Sequence, residues 1–405
     1  MNEGQGTRSR FMAMANQPQL HYGAFALMVG IVLWLWGQSL GALMVSGDAD
    51  SSERFYDFRN ILFSAESVQQ GGDPYELTSP MPFHRCPYPL FLPFLAIPFT
   101  WMPFLLSANL WFLLNLAALA FSFSLAFSVW NENRNRFHSL HWIVPFTIIV
   151  LCLLTPIQSN FRNGQNNALV LALAWCAIAL DRKDQWLAAS LSLAAAIAVK
   201  WFSGPLLFYF LIRRRYKLVV ACLVWFLVLC TLPWITMGGH LWTAYFHYVK
   251  DFLLDPSAVQ RVSSPYRLPT PVSDSHPLWP AWHWGISLPL FLTILGLDWR
   301  NRKETISRKH DPWWAAIYLV LGLLLTPILE KHHLLLLAPL VPWLGIRLFD
   351  DPPPVHPLAS WGLLIFFGLF LFGKIVPGWS LHWFSLVFLL VMVLGIIKNP
   401  NGHSG

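Results

Sequence analysis

A chain of 405 residues that is 56% hydrophobic and 16% aromatic, with charge on only 12% of its side chains and a mean hydropathy of +0.49, is too apolar for a soluble globular domain and has lipid as its main solvent. The formal charge of +7 sits in short Lys/Arg clusters between apolar runs, which reads as membrane topology and excludes a nucleic-acid surface. Cys152, Cys176, Cys222 and Cys230 lie in apolar segments and Cys86 in a polar loop, so no disulfide framework is implied.

The chain opens with a polar tail, 1–21, containing Arg8 and Arg10, followed by an apolar run from Tyr22 to Ser46. That run is long enough to span a bilayer and too long for the apolar core of a cleavable signal, which predicts an uncleaved anchor with a cytoplasmic N-terminus. Further apolar runs begin near 105, 141, 166, 185, 203, 218, 282, 313, 334, 357 and 380. Together they predict an all-α polytopic transmembrane helical bundle of about twelve spans, forming one domain over 22–398 with a cytoplasmic tail at 399–405. The pieces 185–199 and 203–212 are too short for ordinary spans, so one or both are tilted, broken or buried in the bundle. With both termini inside, the dense basic clusters RRRYK and RNRKETISRK fall in cytoplasmic loops, as the positive-inside rule requires.

Two outer loops are long. The first, 47–88, carries Asp48, Asp50, Glu53, Asp57, Glu66, Asp73 and Glu76. Within it Phe58, Ile61, Leu62, Ala65 and Val68 recur at helical spacing, predicting an amphipathic helix on the outer membrane face that starts at Asp57 and ends at Gln69. A carboxylate at that start is either a general base or a charge favoured by the helix dipole. Asp73, before proline in GGDPY, reads as a turn former, and the DxD spelled by Asp48-Ala49-Asp50 is too common by chance to carry metal chemistry. The stretch that follows contains Pro80, Pro82, Pro87, Pro89, Pro93 and Pro98, which excludes an ordinary straight helix and predicts a segment along the interface or re-entering it. The second loop, 237–281, carries Trp242, Tyr245, Tyr248, Trp279, Trp282 and Trp284, either an interfacial aromatic belt or a stacking wall for sugar rings.

Three further clusters interrupt the apolar pattern. QSNFRNGQNN, 158–167, has more amides than a tight turn needs: Arg162, Asn163 and Gln165 suit phosphate or hydroxyl ligation, while Asn163 or Asn166 suits capping of the next helix. Lys200 stands alone in LAAAIAVKWFSGPLLFYF, as a substrate contact or a lysine snorkelling to the outer interface. TPILEKHHLLLLAP places Glu330, Lys331, His332 and His333 at an outer helix end; adjacent histidines point in different directions, which disfavours a shared metal. There is no Walker A, Rossmann glycine pattern, HExxH, zinc spacing or GxSxG. Polar residues gathered on one face, with almost no mid-span charge and no internal repeat, favour an enzyme over the alternative of a secondary transporter for a small polar or lipid-like solute.

Asp57 with AES…QGGDPY and CPYPLFLPFLAIPF, then RNGQNNALVLAL, AAAIAVKWFSGPLLFYFLIRRRYK and TPILEKHHLLLLAPL, in this order, resemble the GT-C membrane glycosyltransferases. Within them the pattern is similar to glycosyltransferase family 87, the polyprenol-phosphate-mannose-dependent α-mannosyltransferases, over most of the chain. The resemblance implies a GT-C-type bundle in a bacterial inner membrane and inverting transfer of a sugar, mannose in that family, from a polyprenyl-phosphate donor to a lipid-linked or envelope glycan acceptor. The site faces outward and uses neither nucleotide, metal nor other cofactor. It carries the catalytic base onto Asp57 and phosphate or sugar contacts onto Arg162, Gln165, Lys200, His332 and His333; Asn163 and Glu330, beside them, complete the candidate substrate-binding set. The loop 237–281 shows no pattern that aligns with the family.

Overall fold

The computed structural model describes residues 18–41, 55–75, 88–131, 154–250, 279–305, 311–326 and 331–337. Every regular element among them is helical. Helix α1 (Pro18–Trp36) continues into a π-helical turn, Gly37–Gly41, and α2 (Tyr56–Gln69) and α3 (Phe91–Thr100) precede the long α4 (Phe104–Asn131). A central group follows: α5 (Leu154–Asn163), α6 (Asn167–Arg182), α7 (Trp186–Val199), a 3-10 turn at Trp201–Ser203, and α8 (Leu206–Ile212). The remaining elements are α9 (Tyr216–Met237), α10 (His240–Tyr248), α11 (Trp279–Thr305), α12 (Asp311–Leu324) and a 3-10 segment, Lys331–Leu337.

Three of these helices are long and apolar enough to cross a membrane: Tyr22–Gly41, Phe104–Ala126 and Tyr216–Thr236. At about 1.5 Å per residue each reaches roughly 30 Å, the thickness of a hydrocarbon core. Leu33, Leu113, Leu227 and Ile235 are exposed on them, as lipid-facing surfaces require. The expected spans near 357 and 380, and most of the one near 141, lie outside the described residues. Of the two pieces too short for ordinary spans, the first is an unbroken, largely buried helix, α7, that ends at Val199; Lys200 is extended (φ −162°, ψ 120°), and only the 3-10 turn and α8 follow before the basic loop.

The core is built around α6, which packs on α4 and α7 while α7 packs in turn on α9. Ala168, Ala172, Ala174, Ala177, Ala189, Ala194 and Ala198 are all buried, and such small residues let helix backbones approach closely where lipid gives no hydrophobic drive to association. The two ends of α6 differ in chemistry. At its C-terminal end Arg215 pairs with Asp181 (3.2 Å) and Asp184 (3.6 Å). Arg213 pairs with buried Asp298 of α11 at 3.1 Å, and the Tyr318 hydroxyl of α12 donates to the same carboxylate. At its N-terminal end, about 24 Å away for sixteen residues, lie the amides of the 158–167 stretch.

The prolines of the first loop act by position. Pro93 falls in the first turn of α3, where no amide donor is needed, and Pro98 sits inside the last turn. The result is a ten-residue helix closed off before α4. The apolar face of α2 is buried against protein: Phe58 stacks on Trp111 of α4 at 4.9 Å and meets Phe99 of α3 edge-on at 5.9 Å.

Candidate active site

The start of α2 is fixed against the turn that joins α5 to α6. Phe55, in the left-handed region (φ 54°), donates its backbone N–H to the Arg162 carbonyl at 2.8 Å. Gly164 occupies φ +68°, and a Cβ there would come within 2.7 Å of Phe58 Cβ and 2.9 Å of the Phe55 ring, so only glycine lets the two segments meet this closely. The Trp111 indole donates to the Gly164 carbonyl at 2.8 Å and stacks on Phe58, closing the contact from the α4 side. Half-buried Asp57 stands in sequence between Phe55 and Phe58, the two residues that meet the turn carrying half-buried Arg162 and Asn163 and buried Gln165.

Lys200 completes the arrangement from the other side. Its side chain does not snorkel: the residue is 6% exposed, and Nζ donates to Gln165 Oε1 at 3.0 Å and Asn167 Oδ1 at 2.9 Å. The Asn167 amide donates onward to Asn160 Oδ1 at 3.1 Å, and the Tyr88 hydroxyl donates to Gln165 Oε1 at 3.0 Å. The amide oxygens that hold Lys200 Nζ are neutral, so an anionic phosphate arriving beside it would be the stronger partner. Because Lys200 has no acceptor capacity, its bond fixes which way each amide points.

His333 reaches the same cluster through Phe202. The imidazole is buried and meets the Phe202 ring edge-on at 4.6 Å, and Lys200 Nζ lies 5.1 Å from that ring. The 3-10 segment carrying it packs on α5 and α6. Glu330 lies outside the described residues, as does the side chain of His332. Among the described residues no three His, Cys, Asp or Glu side chains gather as a metal site.

Sequence reasoning singled out Asp57, Arg162, Asn163, Gln165 and Lys200, and the fold brings these segments together. At Asn166 the capping alternative is not what the structure uses: the residue occupies the position before α6 but makes no capping bond, and both its side-chain polar atoms are buried without a partner among the described residues. Asp73 does form the expected turn, accepting from the Tyr75 N–H at 2.7 Å. Tyr88 and Asn167, which hold Gln165 and Lys200, were missed. Both stand inside the matching motifs CPYP and RNGQNN, but nothing in the pattern says which member of a run of amides faces a lysine 33 positions away.

Aromatic residues of the second long loop pack against the end of the first. Tyr75 stacks on Tyr248 of α10 (5.2 Å, 24°) and packs on Tyr245 (5.5 Å), while its hydroxyl donates to the Tyr88 carbonyl at 3.0 Å. The two long loops therefore meet, and their junction is one residue's backbone away from the Lys200 cluster.

The sequence profile of glycosyltransferase family 87 matches residues 87–329, more than half of the chain. The chain is 24% identical over 347 residues to a polyprenol-phosphate-mannose-dependent α-(1-2)-phosphatidylinositol pentamannoside mannosyltransferase of Mycobacterium tuberculosis, an alignment covering 78% of this chain and 72% of that one. To the protein of the same name from Mycolicibacterium smegmatis it is 24% identical over 387 residues, 87% of each chain. A polyprenol-phosphate-mannose-dependent α-(1-2)-phosphatidylinositol mannoside mannosyltransferase of Mycobacterium tuberculosis is 28% identical over 199 residues, 48% of this chain and 44% of that one. No solved structure matches the chain. The helical bundle and the meeting of the segment bearing Asp57, the 158–167 stretch and Lys200 stand within this framework: the chain belongs to glycosyltransferase family 87.

Proposed function

We propose that the protein transfers mannose from a polyprenyl-phosphate donor to a glycolipid acceptor at the membrane face opposite the cytoplasm. The observation that carries this reading is the junction, through Phe55 and Phe58, of the segment bearing Asp57 with the turn whose Gln165 holds the buried Lys200. Asp57 takes the proton of the acceptor hydroxyl as its oxygen attacks the anomeric carbon. The bond from that carbon to the phosphate oxygen breaks with its electron pair leaving on the phosphate, and configuration is inverted in one displacement. Lys200, Arg162, Gln165 and His333 stabilise the charge that develops on the departing polyprenyl phosphate, with Asn163, Glu330 and His332 as further contacts to phosphate or sugar.

The same reading sets the architecture: a GT-C-type bundle of about twelve spans in a bacterial inner membrane, one domain over 22–398, with tails 1–21 and 399–405 in the cytoplasm. Loops 47–88 and 237–281 and helix α2 lie outside. The Tyr75 stack on Tyr248 supports placing both loops on one face, and the ion pairs of Arg213 and Arg215 at the far end of α6 support the opposite face as cytoplasmic. A periplasmically active phosphatase fused after Asp73 is expected to be active; activity confined to a cytoplasmic reporter at that point overturns the topology.

Membranes containing the protein, given polyprenyl-phosphate-mannose radiolabelled in the sugar, are expected to yield labelled glycolipid that control membranes lack. Label that crosses the bilayer still joined to polyprenyl phosphate, with no transfer, would instead identify a transporter.

A further inference from the structure

We infer that Tyr88 is a positioning residue: its phenol locks the Gln165 side chain that holds Lys200, and its backbone ties that lock to the second outer loop. This rests on the assignment of Lys200 to the donor phosphate. Tyr88 is 2% exposed, and its contacts act on the site through its neighbours. Three of its groups are engaged at once. The hydroxyl donates to Gln165 Oε1 at 3.0 Å, the same oxygen that accepts from Lys200 Nζ at 3.0 Å. The ring lies 5.3 Å from the ammonium, within the range of a cation–π attraction. The carbonyl accepts from Tyr75, which is stacked on Tyr248 of α10. Pro89 follows directly, and a residue before proline is disfavoured from helical backbone, which narrows the freedom of Tyr88.

Lys200 is thus gripped at Gln165 and Asn167, and one of those grips depends on a donor from a different segment of the chain. Tyr88→Phe removes that donor alone; the ring over the ammonium and the packing stay. Freed of the phenol, the Gln165 amide gains rotational freedom and the ammonium loses its fixed place.

The test is the dissociation constant of radiolabelled polyprenyl-phosphate-mannose, measured by scintillation proximity on purified protein in lipid nanodiscs for wild type, Tyr88→Phe, Lys200→Ala and the double variant. Lys200→Ala is expected to weaken binding strongly, and Tyr88→Phe by about five- to tenfold, the worth of one hydrogen bond near a charge. The double variant should be no weaker than Lys200→Ala, because both changes act on one interaction. A merely structural Tyr88 lowers the melting temperature but leaves the affinity of the folded fraction within about twofold of wild type. That result, or additive losses in the double variant, overturns the inference while the Lys200 assignment stands. If Lys200→Ala itself binds normally, the donor-site reading fails first. Should Tyr88→Phe not fold, 3-fluorotyrosine at position 88, a stronger donor of nearly the same shape, is expected to tighten binding in mildly acidic buffer; unchanged or weaker binding overturns the inference.

Discussion

Asp57→Asn is expected to lower mannosyl transfer by about 10² to 10⁴ while leaving donor binding and the yield of folded protein close to wild type. The substitution keeps the side chain's shape and reach and removes only its capacity to accept a proton. A carboxylate that merely favours a helix start contributes about 0.3 to 1 kcal/mol, and asparagine serves a helix start nearly as well, so that role predicts less than a tenfold loss. The structure widens the gap between the two outcomes. The start of α2 is anchored by the Phe55 N–H on the Arg162 carbonyl and by the Phe58 stack on Trp111, neither of which involves the Asp57 side chain. Transfer above a tenth of wild type by Asp57→Asn would move the base elsewhere, with Asp48, Asp50 and Glu53 the next residues to test.

Gly322→Ala is expected to cost more in stability than any other single added methyl group near the site. A Cβ at 322 would overlap the carbonyl oxygen of Phe202 and stand 2.9 Å from its carbonyl carbon. Both are backbone atoms, so no side chain can swing aside; either α12 or the 201–203 turn must shift. Overpacking of this kind costs about 1 to 3 kcal/mol or more. The turn is also the link between Lys200 and His333, so its displacement moves both. The melting temperature in detergent should fall by several degrees and donor affinity should fall with it. Gly296→Ala in α11 is the control: no heavy atom stands within 4 Å of its Cβ position, and the change should be tolerated. Equal stability of the two variants would show that the close approach of α12 to Phe202 is not retained in solution.

The site was legible in the sequence to the extent that its residues violate an apolar background. A lysine between two short apolar pieces, a run of amides between two spans and a carboxylate at the start of an amphipathic repeat are each costly in lipid unless something repays them, so each announced itself. Period and length also gave the break at Lys200 and the helix from 56 to 69 almost to the residue. Side-chain direction was not legible. Tyr88 looked like one aromatic among many in a proline-rich stretch, and its role depends on where the Gln165 and Lys200 side chains meet in space. The aromatic residues at 242–248 had two readings, belt before wall. The packing of Tyr75 on Tyr245 and Tyr248 adds a third, a joint between loops, that no single-segment pattern contains. The amides at 163 and 166 suited capping as well as ligation because composition records that an acceptor is available, not whom it meets.

The joint between Tyr75 and Tyr248 has a consequence for how the protein is made. Its two partners are about 170 residues apart in the chain, and at roughly 5 to 20 residues per second of synthesis the first waits about 10 to 30 s for the second to emerge. During that interval the Tyr75 ring, buried in the finished protein, has no stacking partner. The end of the bundle where the two long loops meet therefore closes late in biogenesis, only after α9 and α10 have been made. A ribosome-bound chain that stops before His240 carries Asp57, Gln165 and Lys200 in full yet lacks the ring against which the first loop comes to rest.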